Sequence, residues 1–191
     1  MVEKLRQVFF AAKQSSYSKH MHVLELPQPN GPEHEINILG LAGYAQHSGF
    51  VVIMRDNAAQ AENGGMDGIL LNTAEEIEAA RAVVGNERII GVQCGGDRQL
   101  AEKALAHGAD YVTFSNPITL LDDIAWWTTK SDFPVLADVP VTNDNCAPYV
   151  RVGATFVNAT GYILDHPKGI MQGTVDMLYA IDLATKGRIA N

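Results

Sequence analysis

Short apolar runs alternate with amphipathic stretches along most of this chain, and that alternation predicts repeated strand–helix units. The predicted strands cover residues 21–26, 50–54, 68–71, 88–92, 111–114, 135–137 and 155–157. Several are apolar at successive positions, the pattern of parallel strands covered on both faces. Helices fill the gaps. Thr73 and Glu76 have the spacing of a capping box that opens a helix over 74–84, and Gly85 stops it. Asp97 caps a helix over 98–107, followed by Gly108. Further helices are predicted over 118–129 and 173–186, the second closed by Gly187. A shorter one over 145–152 requires Pro148 to lie in its first turn. Leu5, Val8, Phe9 and Ala12 have helical spacing, so residues 5–12 read as a helix and residues 1–16 as a helical extension.

This order of elements predicts the α/β class: one domain over residues 1–191, folded as a parallel (β/α) barrel of the TIM type. Seven convincing strands stand where a closed barrel has eight, so the first unit is expected to be shortened or missing. The competing architecture is an open doubly wound sheet. A weak repeat supports the barrel: Gly65-Met66-Asp67, Gly108-Ala109-Asp110 and Gly153-Ala154-Thr155 each end a helix and launch a strand. At strand starts these residues fall on the stability face of a barrel, and a structural role is expected for them.

Length, composition and charge then narrow the function classes. At 191 residues and 47% hydrophobic composition the chain can bury a proper core. No apolar run approaches the ~20 residues of a bilayer span, and the start Met1-Val2-Glu3-Lys4 turns charged too early for a secretory signal. Two cysteines, Cys94 and Cys146, make no disulfide framework, so a cytoplasmic location is expected. A net charge of −8 argues against nucleic-acid partners. No membrane partner is expected either. The expected partner is a small molecule, with phosphorylation an open feature.

In a parallel barrel the chemistry lies directly after the strands. Those positions hold Arg55, Asp56 and Asn57, then Asn72, then Gln93-Cys94-Gly95-Gly96, Asn116, Asp138, and Asn158-Ala159-Thr160-Gly161. Asp56, Asp138 and Gln93 are the candidate catalytic residues, with either aspartate as general base. Arg55, Asn57, Asn72, Cys94, Gly95, Gly96, Asn116, Asn158, Thr160 and Gly161 are the candidate ligand contacts. Gly95-Gly96 before a helix suits either an anion cradle or a tight turn. The Thr160-Gly161 region is a similar backbone nest. Asp56 with Glu75 or Glu76 could hold a divalent metal, or Asp56 could cap the short helix after it. Cys94 beside a helix N-terminus is either a lowered-pKa thiol or a small packing residue.

The run from Phe50 to Leu71 resembles the thiamine-phosphate synthase and TenI family, whose pattern is a strand ending I-N-D-R, a short helix, then A-D-G-V-H-L-G-Q. The similarity continues through residues 79–85, 89–92 and 106–112, and resumes at 133–137 and Gly153-Ala154. The resemblance implies a TIM barrel that joins a pyrimidine pyrophosphate to a thiazole phosphate with Mg²⁺, in a chain that self-associates as a homodimer. Position by position, the family's Arg and Lys that meet the pyrophosphate fall at Pro27 and Pro29. Its Asn becomes Arg55, its Asp is kept as Asp56, and its His becomes Leu70. The next Gly-Gln becomes Asn72-Thr73, and its Ser-Thr-His becomes Gln93-Cys94-Gly95. The T-x-T-K loop is absent after Ser115-Asn116-Pro117, and the phosphate-binding Gly-Gly becomes Val139-Pro140. Stabilising a leaving pyrophosphate requires placed cations, so these losses argue against the coupling reaction. Beside retained synthesis by rearranged residues, the resemblance then leaves two main readings. One is related chemistry on a thiamine-related metabolite, as a transferase or as an isomerase like the TenI relatives. The other is a non-catalytic binding or regulatory protein on the same barrel.

Overall fold

Helix and strand alternate from end to end in a computed structural model that describes residues 2–16, 20 and 22–189. The first half runs α1 (Val2–Gln14), β1 (Val23–Leu26), α2 (Pro32–His47), β2 (Val51–Arg55), α3 (Ala58–Asn63) and β3 (Gly68–Leu71). A 3₁₀ turn (Ala74–Glu76) leads into α4 (Ile77–Val84), then β4 (Ile89–Gly95), α5 (Arg98–Ala106), β5 (Tyr111–Phe114) and α6 (Leu120–Lys130). The chain ends with β6 (Val135–Ala137), α7 (Cys146–Val152), β7 (Phe156–Val157), α8 (Thr160–Leu164) and α9 (Ile170–Ile189). Residue 21, the first of the expected opening strand, lies outside the described residues. None of the described helices is long and apolar enough to cross a membrane.

All seven strands pair in parallel and in chain order, from β1 to β7. The sheet is strongly curled. Arg55 on β2 comes within 3.9 Å of Asp138 just after β6, although four strand spacings of ~4.8 Å separate β2 from β6 in a flat sheet. Only the concave face of a TIM-type barrel brings such strands together. No eighth strand closes the gap between β7 and β1 among the described residues. Ahead of β1 stands α1, which packs on α9 and α2 and sends Phe9 into the core against Phe50, ring centroids 4.6 Å apart. The element ahead of β1 is thus a helix, as the helical spacing of Leu5, Val8, Phe9 and Ala12 predicts.

Alternation sorts each strand between two environments. Leu26, Val52, Met54, Ile69, Leu71, Ile90, Val92, Val112, Phe114, Val135 and Ala137 belong to the core between sheet and helices. The other parity is tied together by the register: Arg55 pairs with Leu70, Leu70 with Gly91, and Gly91 with Tyr111. One layer further along, Gln93 pairs with Thr113, Thr113 with Leu136, and Leu136 with Phe156. Those residues line the concave face. Gly91 is required there: a Cβ on it would lie 2.1 Å from the Tyr111 ring.

The repeated Gly-x-Asp/Thr segment works as a clamp. Asp67 donates its own N–H to Val52 O (2.9 Å) and accepts Val52 N–H on its carboxylate (2.7 Å). Asp110 does the same with Ile90, at 2.7 Å in both directions. Thr155 does so with Val135, at 2.8 and 3.1 Å. The preceding glycines, Gly65, Gly108 and Gly153, turn the chain with φ of 60°, 87° and 116°, the region where a side chain is disfavoured. The repeat thus fixes β3 to β2, β5 to β4 and β7 to β6 by two bonds each, the structural role expected of it.

Two details differ from the sequence reading. Helix α2 carries no clear amphipathic stripe, because Ile36 and Tyr44 face solvent while Ile38, Leu41, Ala42 and Ala45 are buried. It therefore escapes periodicity, although Pro32 sits in its first turn as start signals require. The short helix after β2 is capped by Asn57, whose Oδ1 accepts Gln60 N–H at 2.9 Å, and not by Asp56. Asp56 instead turns the chain at φ 52°.

Replacing Asp110 with alanine should leave the buried Ile90 N–H without an acceptor and free Arg81, whose Nη2 sits 2.6 Å from that carboxylate. A loss of about 1–3 kcal/mol is expected. Scanning calorimetry should register it as roughly 2–4 °C of Tm per kcal/mol. An unchanged Tm would contradict the clamp.

Candidate functional site

The strand ends at the open mouth of the curl bring charged side chains together on the concave face. Arg55, the last residue of β2, directs Nε and Nη2 at Glu25 Oε1 on β1, and Nη1 at Gln93 Oε1 on β4 at 2.9 Å. Its Nη2 also faces Asp138 Oδ2. Asp138 Oδ1 in turn accepts Asn158 Nδ2 from the end of β7 at 2.9 Å. One network therefore spans β1, β2, β4, β6 and β7, with one guanidinium against two carboxylates. Asp138 is the most enclosed of the three charges, 13% exposed against 27% for Glu25 and 37% for Arg55.

Burial sets the chemistry of the group. It pushes the Glu25 carboxyl above its ordinary range, an effect that the Arg55 charge and hydrogen bond oppose and that Asp138 reinforces. Burial likewise pushes the Tyr111 phenol upward, with Glu25 and Asp138 adding to the shift. Thr113, next to Gln93 in register, is fully buried, and its hydroxyl has no hydrogen-bond partner.

Of the residues singled out from sequence, Arg55, Gln93, Asp138 and Asn158 come together here. Asp56 lies next to Arg55 without joining the network: its N–H donates to Leu70 O, and its carbonyl accepts Gln28 Nε2 at 2.6 Å. Asn57 is occupied as the cap of α3. Asn72 is exposed just past β3. Asn116 bends over its own loop, its Oδ1 accepting Ile118 N–H at 3.1 Å.

The two backbone cradles are filled by the chain itself. Asp97 places Oδ1 on Gln99 N–H (2.9 Å) and Leu100 N–H (3.0 Å), so a carboxylate already holds the anion position of α5. Gly95 and Gly96 serve a tight turn: φ is 62° at Gly95, and a Cβ on Gly96 would meet the Asn116 side chain at 2.9 Å. At the other nest, Asn158 Oδ1 takes the Thr160 N–H at 3.1 Å, at the first residue of the five-residue α8 that includes Gly161. Between the two, Pro140 offers no N–H after β6.

Cys94 comes next to inward-facing Gln93 and so points outward, into the core. Its thiol donates to Val92 O at 3.5 Å, and burial pushes its pKa up to about 12, the opposite of activation by a helix N-terminus. Glu75 pairs with Lys103 of α5 and is not joined to Asp56. Among the described residues no group of three or more His, Cys, Asp or Glu side chains converges as a metal site. Sequence reasoning passed over Glu25, Tyr111 and Thr113. The available signal was a carboxylate in an apolar strand, Val23-Leu24-Glu25-Leu26, which sits inside an element and not after it.

Two solution measurements test these assignments. Because the folded pKa of Glu25 is raised, the native state holds more protons than the unfolded chain above the ordinary glutamate value of 4.5. Stability then falls as pH climbs through that window, since the slope depends on protons bound unfolded minus folded. Equilibrium unfolding should show this falling component in the wild type and lose it in Glu25→Gln. Cys94 should resist alkylation near neutral pH until the chain is unfolded, which mass spectrometry of native and denatured samples can score.

Known proteins resemble this chain in sequence and in fold. A family model described as thiamine monophosphate synthase matches residues 23–163. The thiamine-phosphate synthase of Rhodospirillum centenum is 30% identical over 135 residues, covering 65% of this chain and 65% of the relative. That of Erythrobacter litoralis is 32% identical over 124 residues, 58% of each. This chain thus spans less than two thirds of the length of these relatives. Among solved structures, thiamine phosphate pyrophosphorylase from Pyrococcus furiosus superposes with a TM-score of 0.76 over 95% of this chain and 90% of its own, at 16% identity. KGPDC from Streptococcus mutans superposes at 0.71 over 94% and 93%, also at 16%. Those two likenesses bear on fold alone, while the family match extends over most of the sequence. This chain belongs to the thiamine monophosphate synthase family.

Proposed function

We propose that this protein binds a small thiamine-related metabolite on its concave face and acts there, if it is catalytic, by proton transfer and not by displacing pyrophosphate. The observation that carries this reading is the network centred on Arg55. A pyrophosphate leaving group needs uncompensated cations where its charge develops. Here the guanidinium is already matched by Glu25 and faces Asp138, so the cluster has one more carboxylate than cation. Carboxylates, an amide and a hydroxyl on one face suit hydrogen-bond recognition and acid–base work on a ring. The filled nests at Asp97 and Asn158 favour a second reading, a non-catalytic binding protein using the same face.

Thermal unfolding with thiamine, thiamine phosphate, thiazole phosphate, pyrophosphate and inorganic phosphate, each with and without Mg²⁺, tests the reading. A ligand at about 100 times its Kd adds roughly 2.7 kcal/mol, a readily measured shift. Thiamine or thiamine phosphate should raise Tm, and Asp138→Ala should abolish the rise. Pyrophosphate with Mg²⁺ should give none. A shift with pyrophosphate and Mg²⁺ alone would return the coupling reaction to this site. Turnover of a bound ligand, tracked by proton NMR, separates the enzyme from the binding protein.

A further inference from the structure

Among the described residues, most of the large apolar side chains that face solvent stand on three neighbouring helices, with α1 packed between α9 and α2. Met171, Val175, Tyr179 and Leu183 recur every fourth residue along α9 and form one exposed ridge of the i±4 kind. Ile36 and Tyr44 face outward on α2, and Gly40 stands midway between them at the same step. Phe10 is exposed on α1. Glycine inside a helix is destabilising. Nothing within the chain requires it at Gly40 or Gly43, because a Cβ on either would meet no atom within 4 Å. The missing side chain at Gly40 instead leaves a groove of about 170 Å³ between α1 and α2, lined by Arg6, Ile36, Asn37, Gly40, Leu41 and Tyr44.

We infer that this chain forms a two-fold dimer through α1, α2 and α9, in which the α9 ridge of each copy packs into the α1–α2 groove of the other. Ridge and groove lie on opposite sides of α1, so an axis through that helix makes both contacts at once and brings the two copies of Phe10 together. An interface of this isologous kind closes, leaving neither a free ridge nor a free groove. It also gives the two glycines a reason, since a helix without side chains at those positions lets a second helix approach closely. The area suffices. The seven apolar side chains are between 37% (Val175) and 71% (Ile36) exposed. At ~150–250 Å² for a large side chain they offer roughly 600 Å² of apolar surface per copy. A stable dimer needs ~800 Å² per partner, of which about two thirds is apolar. Charge agrees, with Arg6 at the groove and Asp176 beside the ridge.

Sedimentation velocity of the whole chain over a concentration series tests the dimer. The wild type should pass from 20.7 kDa to twice that mass as concentration rises. Leu183→Lys on the ridge and Gly40→Met in the groove should each weaken association about a hundredfold. Far-UV circular dichroism should stay unchanged, because the first replaces an exposed side chain and the second adds one into open space. Gly40→Met should also raise the Tm of the dilute monomer, methionine being the better helix former. Mixing the two variants should restore dimers in part, since a mixed pair keeps one intact ridge–groove contact. A wild-type chain that stays monomeric at every concentration, leaving the face to a different protein or to none, would overturn the dimer. A dimer that Gly40→Met leaves unaltered, a mixture no tighter than either variant alone, or growth into open chains would overturn the pairing of ridge with groove.

Discussion

Asp67, Asp110 and Thr155 each grip one residue of the strand before them by side chain and backbone at once, and this fixes the register of three strand pairs. Register matters here because the side-chain period of a strand is two. A slip of one residue would send Arg55, Gln93 and Tyr111 into the helix-facing core and turn Met54, Val92 and Val112 to the concave face. A guanidinium in that core would need partners that the apolar layer between sheet and helices does not offer. The clamps are therefore the condition under which one face stays dry and the other can carry charge. Since each clamp sits at a strand start, the opposite end of the sheet is left free to vary.

That freedom shows in the electrostatics of the site. A half-buried cation opposite two carboxylates is a compromise: desolvation weakens each charge, and their attraction recovers part of the loss. The Arg55–Glu25 contact takes both Nε and Nη2, and a third bond to Gln93 occupies Nη1. An arginine held in this way is a poor receptor for a polyphosphate, which would have to displace Glu25 before meeting the charge. The chain also fills its helix N-terminus with Asp97 and its last nest with Asn158. These three features agree with Pro140 at the remaining loop, where no N–H exists to be offered.

The strands are legible in the sequence because most are short apolar runs bounded by turn residues, and the helices with one clear stripe are legible for the same reason. Helix α2 is not, since its apolar residues are spread around the axis and two glycines, Gly40 and Gly43, interrupt it. At the site, the positions just past each predicted strand include Asp138 and Asn158, which do lie beyond β6 and β7. They include Arg55 and Gln93 as well, both inside strands as the structure bounds them. Glu25, Tyr111 and Thr113 escape that rule, because they stand further back on β1 and β5 and reach the same cluster by parity. Parity also decides Cys94. Adjacent to Gln93, it looks equally available in the sequence, but one step along a strand reverses the face, and the thiol is core.

Incomplete closure connects the fold to the chemistry of its face. No eighth strand stands between β7 and β1 among the described residues, and β1 is the strand beside the gap. Glu25 lies on that strand, and it keeps 27% of its side chain accessible while burial still raises its pKa. A fully enclosed glutamate would be a structural acid, and a fully exposed one would titrate as in water. The intermediate position gives a carboxyl pushed above its ordinary range and still partly accessible.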